Sequence, residues 1–210
     1  MSLEATITRI AELHSVLGLA PAATQQTVPA TGATPFAGVL QSANAGLGAA
    51  ATPAAALTAL PAQGTPAGQA IVNLVRGEVG QAEQPPGSND SPRIAQYRQA
   101  TAGSGVGPWC AYFVSWAARE VGVPIGDSGQ GYGLVDDVYA WAERTGKAIP
   151  AGSGTPQPGD LIVWDEHIGI VEAVRPDGTI QTIEGNSSDQ VARRTYDAGG
   201  GGAIGFVRLG

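Results

Sequence analysis

The chain has 210 residues, 43% of them hydrophobic and 14% charged, with a formal net charge of −7 and a pI near 4.7. With no cluster of Lys or Arg beyond Arg193-Arg194 it lacks the cationic surface that holds phosphate backbones or anionic lipid, so nucleic acid is not expected as a partner. One cysteine excludes an internal disulfide, and no run approaches the roughly 18 consecutive apolar residues of a membrane span.

Charge is unevenly spread. Residues 1–67 carry one basic and two acidic side chains, leaving 10 basic and 16 acidic for residues 68–210. That asymmetry predicts a domain over 68–210 with a low-charge appendage. At the start, Ser2 can cap a helix whose apolar residues Leu3, Ile7, Ile10, Leu13 and Leu17 recur at steps of three and four, ending at Gly18, which gives an amphipathic helix over 1–19. One such helix cannot bury its stripe alone, so a protein partner is expected for it. His14 lies near the stripe and reads as an interface residue rather than a ligand. Met1-Ser2-Leu3-Glu4 lacks the basic start and apolar stretch of a secretory signal, so any route out of the cytoplasm is expected to be a different one. Residues 20–67 are rich in Ala, Pro and Thr and read as a flexible linker, with Pro35–Leu40 as its one hydrophobic island.

From there the spacing predicts a helix through Ala70, Ile71, Leu74, Val75 and Val79, ending near Gly80, then turns over Pro85–Asp90 and a short helix through Ile94 and Tyr97. Pro108 forces an extended entry to a helix beginning at about Cys110, with Cys110, Phe113, Val114, Ala117 and Val121 on a buried face before Gly122. Leu134, Val135, Val138, Trp141 and Ala142 predict another helix, ending at Gly146. After Pro158 the period changes to two. Runs 160–165, 167–174, 179–184, 191–196 and 203–209 read as strands, with turns at Asp165-Glu166, Pro176–Gly178 and Gly199–Gly202. Helices first and an antiparallel sheet second define an α+β domain.

Cys110 is the candidate nucleophile. A thiol attacks as its thiolate, and the positive end of a helix dipole stabilises that charge in the first turn. Elsewhere a lone cysteine is a small buried hydrophobe, so partners must support the assignment. If Val174 pairs with Thr179 across the 176–178 turn, counting back puts Glu184 opposite Gly169 and Asn186 opposite His167, so His167, Glu184 and Asn186 share a face. A slip of one residue would reverse this. An imidazole flanked by a carboxylate and an amide is what a thiol nucleophile requires. The competing reading makes Cys110, His167 and Glu184 zinc ligands, but the short ligand spacings and second cysteine of zinc sites are missing.

The stretches PWCAYFVSWAAREVG, PGDLIVWDEHIGIVEAV and TIEGNSS resemble the CHAP amidohydrolase/peptidase domains, relatives of the NlpC/P60 enzymes on a papain-like fold, over about residues 68–210. The resemblance implies Cys110 as nucleophile, His167 as base and later acid, Glu184 as the orienting third member and Asn186 as a supporting polar group. It also implies that Trp109 and Trp164 line the groove, ordinary core packing being their alternative. The family commonly cleaves amide bonds in peptidoglycan, between N-acetylmuramic acid and L-alanine or within the stem and cross-bridge peptides. Some members bind calcium in an acidic loop before the nucleophile, but Ser88–Ser91 offers only Asn89 and Asp90, so neither metal nor other cofactor is expected. MSLEATITRIAELHSVLG followed by the Ala/Pro/Thr tract is similar to the leaders of wall-lytic proteins associated with bacterial flagella, which implies periplasm or cell wall as the place of action; without that export the protein is cytoplasmic. The alternatives to a wall enzyme are a non-catalytic wall-binding or assembly module of the same fold and an amidase for a small soluble conjugate.

Overall fold

Helices precede strands in the computed structural model, which describes residues 63–210; the expectations for the helix over 1–19 and for nearly all of the tract 20–67 fall outside the described residues. Helix α1, Pro66–Arg76, has Thr65 as its cap, whose hydroxyl accepts from the Gly68 N–H at 2.9 Å. Helix α2, Pro92–Arg98, is capped likewise by Ser91, which accepts from the Ile94 N–H at 3.2 Å. Both place proline in the first turn, where the missing N–H costs nothing. Helix α1 stops short of the expected Gly80, because the Gly80 N–H is given to the Val191 carbonyl. Helices α3, Cys110–Glu120, and α4, Val135–Arg144, complete the helical half.

One buried face was expected for α3, yet every residue from Cys110 to Ala118 is buried. The helix is central, packed on by α1, α2, α4 and the sheet. Around it Tyr97, Phe113 and Trp116 form an aromatic cluster with ring centroids 4.9–6.0 Å apart. Phe113 is wholly enclosed there, and its truncation to alanine costs about 3–5 kcal/mol at such sites.

The strands are β1 Ala148–Pro150, β2 Leu161–Val163, β3 Ile168–Val174, β4 Ile180–Glu184, β5 Ala192–Tyr196 and β6 Gly205–Val207, in the antiparallel order β1-β6-β2-β3-β4-β5. The five runs of alternating period all contain strands; β1 is three residues long, too short to show a period. Both faces of the sheet are covered. Leu161, Val163, Ile168, Ile170, Ile183 and Val207 meet the helices, while Ile162, Val171, Ile180 and Phe206 form a second cluster with Ala203.

The hairpin that orders the site departs from the expected register at one end and meets it at the other. Val174 pairs with Ile180, not Thr179. A bulge between Val171 and Ala173 absorbs the extra residue, so that Val171 pairs with Thr182 and Ile170 with Ile183. Gly169 and Glu184 come next in line, as the simple count had them. The bulged Glu172 accepts from Arg76 Nε at 2.8 Å and Arg193 Nε at 2.7 Å, tying α1 and β5 to β3. Burial alone would raise its pKa, but the two guanidinium groups bring it below the ordinary carboxylate value.

Candidate active site

The entry to α3 is fixed by Trp109. Its carbonyl accepts from the Phe113 N–H at 3.0 Å and its indole N–H donates to Glu83 Oε1 at 2.9 Å. No side chain caps the helix, so its first N–H groups stay available to a negative charge. Cys110 follows, 4% exposed, at the wall of a cleft of about 420 Å³ that is also lined by Tyr112, Leu134, Asp136, Asp165 and Glu166.

His167 arrives from the sheet. The tight Asp165-Glu166 turn is closed by the Trp164 N–H donating to the His167 carbonyl at 2.8 Å. The imidazole Nε2 lies 2.9 Å from Glu184 Oε2, which leaves Nδ1 open to a second partner. Glu184 is 1% exposed, and its Oε1 accepts from the Thr182 hydroxyl at 2.5 Å and the Tyr196 hydroxyl at 2.9 Å. Imidazole and buried carboxylate therefore form one hydrogen-bonded pair, and Cys110 is among the groups that act on the ring.

Burial works against charge on the His167 ring, but its interactions with Cys110 and with the Glu184 carboxylate outweigh it and push its pKa up to about 9. Burial likewise opposes the Glu184 carboxylate, and the bonds from His167, Thr182 and Tyr196 overcome it, leaving its pKa below the ordinary value. Because the ring's folded value lies above its unfolded one, its contribution to stability is fully present below about 6.5 and is lost as pH rises through about 9. Denaturant titrations at pH 6 and pH 9.5 are expected to show the wild-type advantage over His167→Ala shrinking at the higher pH. Ring proton NMR can follow the titration directly, His14 being the other histidine.

Two glycines make the approach possible. A Cβ on Gly169 would lie 2.6 Å from Glu184 Cγ, and one on Gly185 would lie 2.6 Å from Phe113 Cβ. The first leaves room for the carboxylate across the hairpin, and the second lets the end of β4 close on the first turn of α3. Gly169→Ala is expected to push Glu184 off the ring, lowering kcat by roughly 10–100-fold while costing about 1–3 kcal/mol of stability. Steady-state kinetics beside thermal melts check both figures.

The expected residues do not all converge. Asn186 lies beyond the end of β4 with φ at 57°, so strand alternation does not carry to it, and it makes no side-chain hydrogen bond among the described residues. Trp109, at 0% exposure, is a core residue stacked on Tyr97 and cannot line a groove. Trp164 stands behind His167, with ring centroids 5.6 Å apart, and donates its N–H to the Gly200 carbonyl at 2.8 Å. Thr182 and Tyr196 were missed. Thr182 lies two residues before Glu184 and so on its face, and Tyr196, opposite Ile180, is on that face too.

Among the described residues no three His, Cys, Asp or Glu side chains are placed to hold an ion, and Glu184 is already engaged by three donors. In the 88–91 loop, Asp90 pairs with Arg98 at 3.1 Å and the Asn89 N–H is given to Glu83.

Residues 101–186 match the CHAP domain, and that span contains Cys110, His167 and Glu184. No curated protein matches the chain. Among solved structures it is similar to an N-acetylmuramoyl-L-alanine amidase from Staphylococcus aureus, at 18% identity and a TM-score of 0.40, over 51% of this chain and 33% of that one. The chain thus spans about a third of that solved chain's length.

Proposed function

We propose that the protein is a cysteine hydrolase that cleaves amide bonds in peptidoglycan, either between N-acetylmuramic acid and L-alanine or within the peptides. The observation that carries the reading is the His167–Glu184 pair, whose ring is acted on by the lone thiol, Cys110, at the cleft wall. The CHAP match over the same residues supports peptidoglycan as the substrate class. In this mechanism His167 takes the thiol proton, and the Cys110 thiolate attacks the amide carbonyl to give a tetrahedral oxyanion. The Cys110 N–H, at the uncapped start of α3, is one donor to that oxygen. Collapse breaks the C–N bond, and the leaving amine takes the proton from His167, with the acyl group left on sulfur. Water, deprotonated by His167, then releases the acid and restores the thiol.

Among the described residues the cleft carries Asp136, Asp165 and Glu166 and no Lys or Arg, so the segment seated beside the scissile bond is neutral or amine-bearing rather than a free carboxylate. Leu134, 66% exposed at its rim, offers an apolar contact to the same segment. A wall substrate requires action outside the cytoplasm, and the resemblance of residues 1–18 to flagellar leaders favours wall remodelling around the flagellum as the setting.

Sedimentation of purified sacculi with the full chain, followed by assay of the soluble fraction, tests the reading. The expected result is release of soluble fragments by the wild type and none by a Cys110→Ala variant that still co-sediments. Co-sedimentation of both without release would assign a wall-binding module instead; release of nothing and binding of nothing would point to a small soluble amide.

A further inference from the structure

Glu184 uses one oxygen on His167, and its other oxygen is held twice, by the Thr182 and Tyr196 hydroxyls. We infer that Tyr196 is a positioning residue of the catalytic apparatus, acting with Thr182 to hold Glu184 ionised and aimed at the His167 ring. The inference rests on the cysteine-hydrolase reading above. Its ground is geometric. A carboxylate 1% exposed has no solvent to share its charge, so each donor it loses must be replaced or the charge given up. Tyr196 also packs on Trp164 with ring centroids 5.0 Å apart, and Trp164 in turn stacks on His167. One phenol thereby backs both the carboxylate and the indole that flank the imidazole.

The phenol is suited to a fixed donor role, since burial and the adjacent Glu184 charge, partly offset by Arg194, hold its pKa well above the usual tyrosine value. The groups facing Glu184 are His167 at the head of β3, Thr182 on β4 and Tyr196 on β5, with Cys110 of α3 beyond the ring and Arg194 beyond the phenol. Tyr196 does not line the cleft, so its effect is on the ring rather than on substrate contact.

The lone cysteine allows a test that needs no substrate. The rate of Cys110 alkylation by iodoacetamide, measured against pH in the full chain, responds to the charge on the His167 ring. In Tyr196→Phe the carboxylate keeps one donor fewer on Oε1 and takes up its proton at higher pH, so the acid limb of the profile is expected to move up by about 0.5–1 unit. Thr182→Val, which removes the other donor to the same oxygen, is expected to move it in the same direction, and KM for peptidoglycan is expected to stay within about twofold in both variants while kcat falls. Profiles superposable on wild type, with only a lower melting temperature, would overturn the inference and leave Tyr196 a packing residue. Equal peptidoglycan hydrolysis by the wild type and Cys110→Ala would overturn the cysteine-hydrolase reading itself, and this inference with it.

Discussion

Cys110→Ala is expected to reduce peptidoglycan hydrolysis by on the order of 10⁴-fold or more, to the level of the uncatalysed background in most assays. The size follows from the site's composition. Covalent attack needs a nucleophile, and the chain has one thiol, placed at the wall of the cleft and among the groups that act on the His167 ring. Nothing else lining that cleft can replace it, since its carboxylates and the Tyr112 hydroxyl are poor nucleophiles toward an amide. The fold should survive the change: Cys110 is enclosed among apolar neighbours, and loss of one sulfur costs about 1 kcal/mol. In the same variant the His167 ring loses one of the partners that keep it charged, so its pKa should drop below about 9. Activity, circular dichroism and the ring titration together separate loss of chemistry from loss of structure.

Glu184→Gln is expected to lower kcat by roughly 10²–10⁴-fold with KM little changed. The amide matches the carboxylate in shape, so the cavity stays filled, but the negative charge that favours the imidazolium is gone. An amide oxygen can still accept from one neighbour, whereas its NH₂ faces either the ring or the Thr182 and Tyr196 hydroxyls, and neither arrangement reproduces the original. The ring value should fall from about 9 toward the usual histidine range, and the stability that the charged ring supplies near neutral pH should fall with it. Kinetics across pH and the NMR titration of His167 measure the two effects separately. If kcat held while the ring titrated normally, Glu184 would be a structural residue.

The His167–Glu184 contact was legible in the sequence for a reason that includes a compensated error. Counting back from Val174 and Thr179 placed Glu184 across from Gly169, although the real turn-proximal pair is Val174 with Ile180. The bulge at Glu172 cancels that offset before the site, and a bulge has no signature in alternation; Glu172 reads as one more residue in IGIVEAV. Strand β1 escaped because three residues carry no period, and α3 showed one apolar stripe where burial is nearly complete, because small residues such as Ala111 and Ser115 can be enclosed without announcing it. Trp109 was assigned to the groove by resemblance, and its indole instead fills the core through Glu83, a contact 26 residues away in sequence. Thr182 and Tyr196 could have been found by extending the face argument from β3–β4 to β4–β5; Asn186 shows where that argument stops, at the strand end.

The central claim is that Cys110 opens an amide bond of peptidoglycan, and digestion of purified peptidoglycan in ¹⁸O-labelled water, with mass spectrometry of the fragments, tests it most directly. The account predicts paired new ends, a free amine on one fragment and a carboxyl carrying one ¹⁸O on the other, formed by the full-length wild type and absent with Cys110→Ala. New sugar ends with the amide bonds intact, or equal product from the two proteins, would contradict it.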